Sequence, residues 1–162
     1  MILAIAILGL VASFMDFLGE YTVIRIIMHL SAITVFSGFF IIGKQYDIYL
    51  LKIFAPLAAF EKFVSGIVLE QLMPQFTPSE IVIILLLGLG GIVTIGLALS
   101  LFSLKQHVGQ TALLLAIVYF TIGGLLVSAY VTAGQTLLFT ALLGILARIL
   151  ELIILYKSRE IA

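Results

Sequence analysis

Five ionisable side chains sit inside long apolar runs of this sequence, and they are the residues through which it could do chemistry: His29, Glu61, Lys62, Arg148 and Glu151. An ionisable group at the centre of a bilayer costs at least a few kcal/mol on insertion scales, so each needs a partner, a wet cavity or a task. Counted at about 1.5 Å per residue from one end of their helices, His29, Glu61 and Arg148 fall at similar depth and can meet. A Glu61–Arg148 ion pair is then expected, either locking two helices in register or serving as a proton- or ion-coupled site. Arg148 and Glu151, three apart on one helical face, offer a second pairing that leaves Glu61 for Lys62 or His29. Lys62 lies about 100 degrees round the helix from Glu61, so the two are expected to point at different partners, with an interface to a second subunit as one destination for Lys62. Arg25 shares a face with His29 and lies near enough to the surface to snorkel. His29 reads as a packing residue, a proton relay or a hydrogen-bond partner for a quinone. Tyr119 is the one tyrosine placed deep in a span.

Other chemistries lack their residues. Zero cysteines exclude disulfides, thiolate metal sites and catalytic thiols. The two histidines, His29 and His107, fall on opposite sides of the membrane, which disfavours a bis-histidine haem. There is no glycine-rich phosphate loop, no Gly-x-Ser-x-Gly elbow, no metal-like carboxylate and histidine spacing, and no room in the connections for a soluble catalytic domain. The sequence is therefore read as a non-enzyme without metal or cofactor. Eight basic residues balanced by eight acidic ones leave no footprint for nucleic acid.

The elements that must position these charges are membrane helices. With 64% hydrophobic and 10% charged residues among 162, the chain has too little polar surface to coat a soluble globule. Six stretches of roughly 20 apolar residues predict an all-α, polytopic bundle of six transmembrane helices forming a single domain over 1–162. The predicted spans are 2–18, 21–43, 48–72, 80–104, 108–133 and 136–156. The first lacks the basic flank of a secretory signal and is kept as a span. Pro56 is expected to kink the third or mark its start. Thr77, Pro78 and Glu80 read as a capping box opening the fourth.

Sorting the connecting charges gives orientation. Lys44, Lys52, Lys105, Lys157 and Arg159 fall at one end, and Asp16, Glu20, Glu70 and Glu80 at the other. The positive-inside rule then places both termini in the cytoplasm of a cell membrane. With no Trp, the interfacial aromatics are Tyr21, Tyr46, Tyr49, Tyr130 and Tyr156.

Halves of three spans each, 1–79 and 80–162, would be related by an inverted repeat. An offset of 87 residues aligns Gly9 and Ser13 with Gly96 and Ser100, and Glu61 with Arg148. The small pairs Gly9/Ser13, Gly96/Ser100, Gly124/Ser128 and Ala55/Ala59 suit close helix packing. They serve either inside one bundle or, for Gly9, Ser13, Gly96 and Ser100, toward a second copy or a partner membrane subunit. Gly88, Gly90 and Gly91 make the fourth span the least rigid. Two functions follow as expectations. One is small-solute or ion transport, including proton-coupled transport. The other is a non-catalytic subunit of a larger membrane complex, of respiratory type or from an energy-coupled uptake system.

Overall fold

A computed structural model describes the backbone of residues 1–18, 22–72, 80–128 and 135–160, with side chains throughout these except at 16–18, 69–72, 80–84, 135–138, 141 and 159–160. Glu20, Tyr21, Thr77, Pro78 and Tyr130, and the side chains of Asp16, Glu70, Glu80 and Arg159, lie outside the described set. The acidic end of the charge sorting and the capping box lie there with them.

Long runs of Leu, Ile, Val, Phe and Ala fold here as helix, because in apolar surroundings the backbone must satisfy its own polar groups within each segment. Six α-helices are described: α1 (Ile2–Leu18), α2 (Thr22–Gln45), α3 (Tyr49–Lys62), α4 (Glu80–Val108), α5 (Gln110–Ser128) and α6 (Gln135–Glu160). α3 runs directly into a ten-residue π-helix, Phe63–Leu72. Nothing in the apolar pattern anticipates that change of winding. Three helices are long and apolar enough to cross a membrane: α2, the Leu85–Val108 part of α4, and α5.

Two connections are short because their backbones turn sharply. Between α4 and α5 there is only Gly109, at φ 83, a left-handed conformation that glycine adopts without a Cβ clash. Its N–H donates to the Lys105 carbonyl at 2.9 Å. Between α2 and α3, Asp47 takes φ 54 and Ile48 donates its N–H to the Gly43 carbonyl at 2.9 Å. Lys52 closes this turn by donating to the Asp47 carboxylate. Pro56 does not mark the start of the third helix: α3 begins seven residues earlier, at Tyr49, and carries the proline inside it. That placement leaves the Lys52 carbonyl without its usual donor four residues on.

Consecutive helices pack side by side, and α6 returns against α1, closing a ring. Small residues set the closest approaches. A Cβ on Gly91 would lie 2.9 Å from the Gly123 carbonyl oxygen, and one on Gly123 equally near the Gly91 carbonyl oxygen, so α4 and α5 touch backbone to backbone. Gly9 receives Ser31 of α2, and Gly96 receives the Phe54 ring of α3. Ser13 donates back to the Gly9 carbonyl at 2.8 Å and Ser100 to the Gly96 carbonyl at 2.7 Å. Both glycine–serine steps are thus used within the chain. The third glycine–serine step behaves differently, since Gly124 has nothing near its Cβ position.

The halves of the bundle differ in filling. Toward the Lys44, Lys52, Lys105 and Lys157 end, Phe39, Leu51, Leu101, Leu104, Leu115 and Ile154 are fully buried and make a solid apolar core. At its rim Lys157 donates to the Thr111 hydroxyl at 3.1 Å, tying α6 to α5. Tyr46 stacks on His107 with ring centroids 4.4 Å apart. Among the described residues the other half is hollow.

Candidate functional site

The hollow half contains a cavity of about 410 Å³ lined by residues of all six helices. Its walls are mostly apolar, with Met28, Phe36, Val93, Leu97, Ile122 and Leu126 among them. Into this lining project all five ionisable residues singled out in the sequence, together with Tyr119. Ring closure by α6 produces the convergence, because it brings Arg148 and Glu151 opposite α2 and α3.

The charges form two separate, locally neutral clusters. On α3, Lys62 Nζ lies 3.0 Å from Glu61 Oε2, and Ser65 Oγ donates to Glu61 Oε1 at 3.1 Å and to the Glu61 carbonyl at 2.8 Å. Gly90 of α4 faces the same carboxylate, its Cβ position 3.6 Å from Glu61 Oε1, so the absent side chain leaves Glu61 its room. On α6, Arg148 Nη1 lies 2.9 Å from Glu151 Oε2, while the Tyr119 hydroxyl of α5 donates to Glu151 Oε1. Both Glu151 oxygens are engaged, and its side chain is only 2% exposed. The α3 cluster is wetter, with Glu61 24% and Lys62 36% exposed.

The expected Glu61–Arg148 bridge is not formed. Arg148 reaches a carboxylate one helical turn away without crossing the cavity, and Glu61 is already held by Lys62 and Ser65. The second pairing named from the sequence is the one adopted. Of the two partners that this pairing leaves to Glu61, Lys62 is the one it takes: the long flexible stem swings back to its own neighbour, and both residues line one cavity. His29 is buried and packs where Gly66 of the π-helix leaves space, since a Cβ on Gly66 would overlap the imidazole. Arg25, expected to accompany His29, does not line the cavity.

Tyr119, the tyrosine placed deep in a span, joins the α6 cluster through Glu151. The signal was its depth: five of the six tyrosines fall near span ends, and a phenol deep in a bundle must find an acceptor. The wall formed by Thr94, Thr140 and Gly144 carried no comparable sequence signal. Thr94 donates to the Gly90 carbonyl at 2.7 Å, as threonines in apolar helices commonly do. Among the described residues no other part of the chain comes within 4 Å of the Gly144 Cβ position, which opens onto the cavity. Among the described residues no group of three or more metal-binding side chains gathers.

Positions equivalent under the 87-residue offset are not structurally alike throughout. The π-helical Phe63–Leu72 corresponds to part of α6 that is regular α-helix. No protein-family model, curated protein sequence or solved structure matches the chain.

Proposed function

We propose that this chain is a six-span membrane protein, with both termini cytoplasmic, that moves a small solute or ion through the ion-paired cavity. The observation that carries the reading is the cavity itself: every helix contributes to it, and every ionisable residue singled out within the apolar runs lines it. Purely structural ion pairs have no need of a shared void. A void this size is that of a small-molecule site, mostly apolar with a few converging polar groups.

Two features support six spans and the orientation. The three helices long and apolar enough to cross the bilayer lie in one ring with α1, α3 and α6, which must then run through the same slab. Lys44, Lys52, Lys105 and Lys157 share one end, which the positive-inside rule assigns to the cytoplasm. The cavity occupies the opposite half, and the solid core lies between it and the cytoplasmic end. Solute would therefore enter from outside, and passage would require the Phe39, Leu51, Leu101 and Leu104 layer to part.

The test is flux in sealed proteoliposomes, followed as proton movement by an internal pH dye and as neutral-solute entry by osmotic swelling. Wild type should support one of the two above empty vesicles, and Glu61→Gln should change it while helical content and monodispersity stay the same. Normal flux in Glu61→Gln, or no flux of either kind in wild type, refutes transport. In that case the subunit reading gains, and stable partner chains should accompany the protein when it is purified from native membrane.

A further inference from the structure

Resting on the reading of the cavity as a binding site, we infer that its ligand is an uncharged, largely apolar molecule bearing oxygen acceptors, such as a ketone or amide carbonyl, and that Arg148 is the residue that binds them. Charge comes first. Two cations, Lys62 and Arg148, and two carboxylates, Glu61 and Glu151, line the cavity, and each cation already sits against a carboxylate. A charged ligand would enter a low-dielectric site whose charges are already compensated, and would bring its desolvation cost with no opposite charge waiting.

Hydrogen-bonding capacity then fixes polarity. The acceptors are used: Glu61 takes Lys62 and Ser65, and Glu151 takes Tyr119 and Arg148. The donors are not. Arg148 carries five N–H groups in a rigid fork, and one of them, on Nη1, has a partner among the described residues. Its side chain is 16% exposed in the bundle and lines the cavity, so the unused N–H edge has the cavity as its outlet. Donors that face a mostly apolar cavity are best satisfied by an acceptor brought into it, and a ligand oxygen supplies one. Glu151 and Tyr119 act as positioning residues, since they hold the guanidinium in place and compensate its charge. The remaining walls, including Met28, Val93, Leu97 and Ile122, ask for an apolar body.

Four probes of equal apolar bulk test the assignment on the full chain in nanodiscs, with empty nanodiscs as the blank: 2-acetylnaphthalene, naphthalene, 2-naphthoate and 2-(aminomethyl)naphthalene. Saturable binding is read by saturation-transfer NMR and by the shift of the helical melting curve. The ketone should bind most tightly, ahead of naphthalene by about tenfold or more, the worth of one hydrogen bond from a charged donor. Arg148→Lys, which keeps the charge but loses the fork, should remove that margin while leaving naphthalene binding in place. Because an Arg148 variant can fail to fold, Gly144→Leu supplies a second reading. It fills the cavity from a position with no neighbouring atoms and should weaken all binding, whereas Gly124→Leu, equally unhindered but outside the cavity, should not.

Tightest binding of the anion or the cation, abolished by Gly144→Leu, overturns the ligand class and leaves the cavity as a binding site. Equal binding of ketone and naphthalene, or a ketone margin that survives Arg148→Lys, overturns the role of Arg148. Absence of saturable binding by all four overturns the inference, and the flux assay then judges the transport reading by itself.

Discussion

Removing the Arg148 guanidinium should be among the most damaging single changes to this bundle, and the damage should be curable by removing its partners as well. Glu151 is almost wholly buried, and its two oxygens are held by Arg148 and Tyr119. Arg148→Leu leaves that carboxylate with one neutral donor, and stranding a buried charge in this way costs about 3–5 kcal/mol. Tyr119→Phe removes a single interhelical hydrogen bond, which inside membranes averages about 0.6 and reaches about 1.7 kcal/mol. Because the acceptor is a carboxylate, the upper figure applies. Arg148→Leu with Glu151→Leu eliminates both charges but orphans the buried phenol, at about 1–3 kcal/mol. The triple variant with Tyr119→Phe strands nothing and should return to within about 1 kcal/mol of wild type or exceed it. Reversible unfolding in mixed micelles, followed by helical circular dichroism, measures all four. An Arg148→Leu cost below about 1 kcal/mol, or a triple variant less stable than Arg148→Leu alone, would refute the stranded-charge reasoning.

Glycine substitutions should divide by what their Cβ meets. Gly91→Ala and Gly123→Ala press a methyl onto the facing backbone carbonyl and should cost about 1–3 kcal/mol, whereas Gly88→Ala and Gly124→Ala meet open space and should gain up to about 1 kcal/mol of helix propensity in the same assay. In the α2–α3 turn, the Lys52 hydrogen bond and then its charge hold the Asp47 carboxyl below its ordinary 3.8. A group lowered in this way stabilises the fold above its unfolded value, and that contribution is lost as pH falls through the folded one. Asp47 is fully exposed, so the change in melting temperature should be small. The direct readout is the Asp47 titration midpoint in labelled protein, which should rise toward the ordinary value in Lys52→Met.

Much of the architecture was legible because a bilayer leaves a chain few options. Uninterrupted apolar runs fixed six helices to within a few residues, as 2–18 against Ile2–Leu18 and 80–104 against Glu80–Val108 show. Charges within those runs were legible for the same reason, since His29, Glu61, Lys62, Arg148 and Glu151 could not have faced lipid cheaply. Their pairing was not. Whether Arg148 reaches Glu61 or Glu151 depends on rotamers and on the width of the void between α3 and α6, and neither leaves a trace in residue spacing. The glycine–serine steps show the same limit. Gly9 and Gly96 are filled by Ser31 and Phe54, residues far away in sequence whose arrival no local pattern records, while Gly124 with the same motif is empty. The π-helix after Lys62 was invisible because a change of hydrogen-bond register needs no change of composition. It matters to the site, since Gly66 within it makes room for His29.

A solute site in the hollow half of the bundle must open to the side away from the basic end. Its most direct test is thiol accessibility, for which the natural absence of cysteine provides a clean background. In oriented proteoliposomes, Gly144→Cys should react with a membrane-impermeant methanethiosulfonate added on the side away from the lysines and stay unreactive from the lysine side, while Leu104→Cys in the solid core resists the reagent from both. A Gly144→Cys protein that is inert from both sides, or that reacts only from the lysine side, would show that the cavity is not a site open to that side.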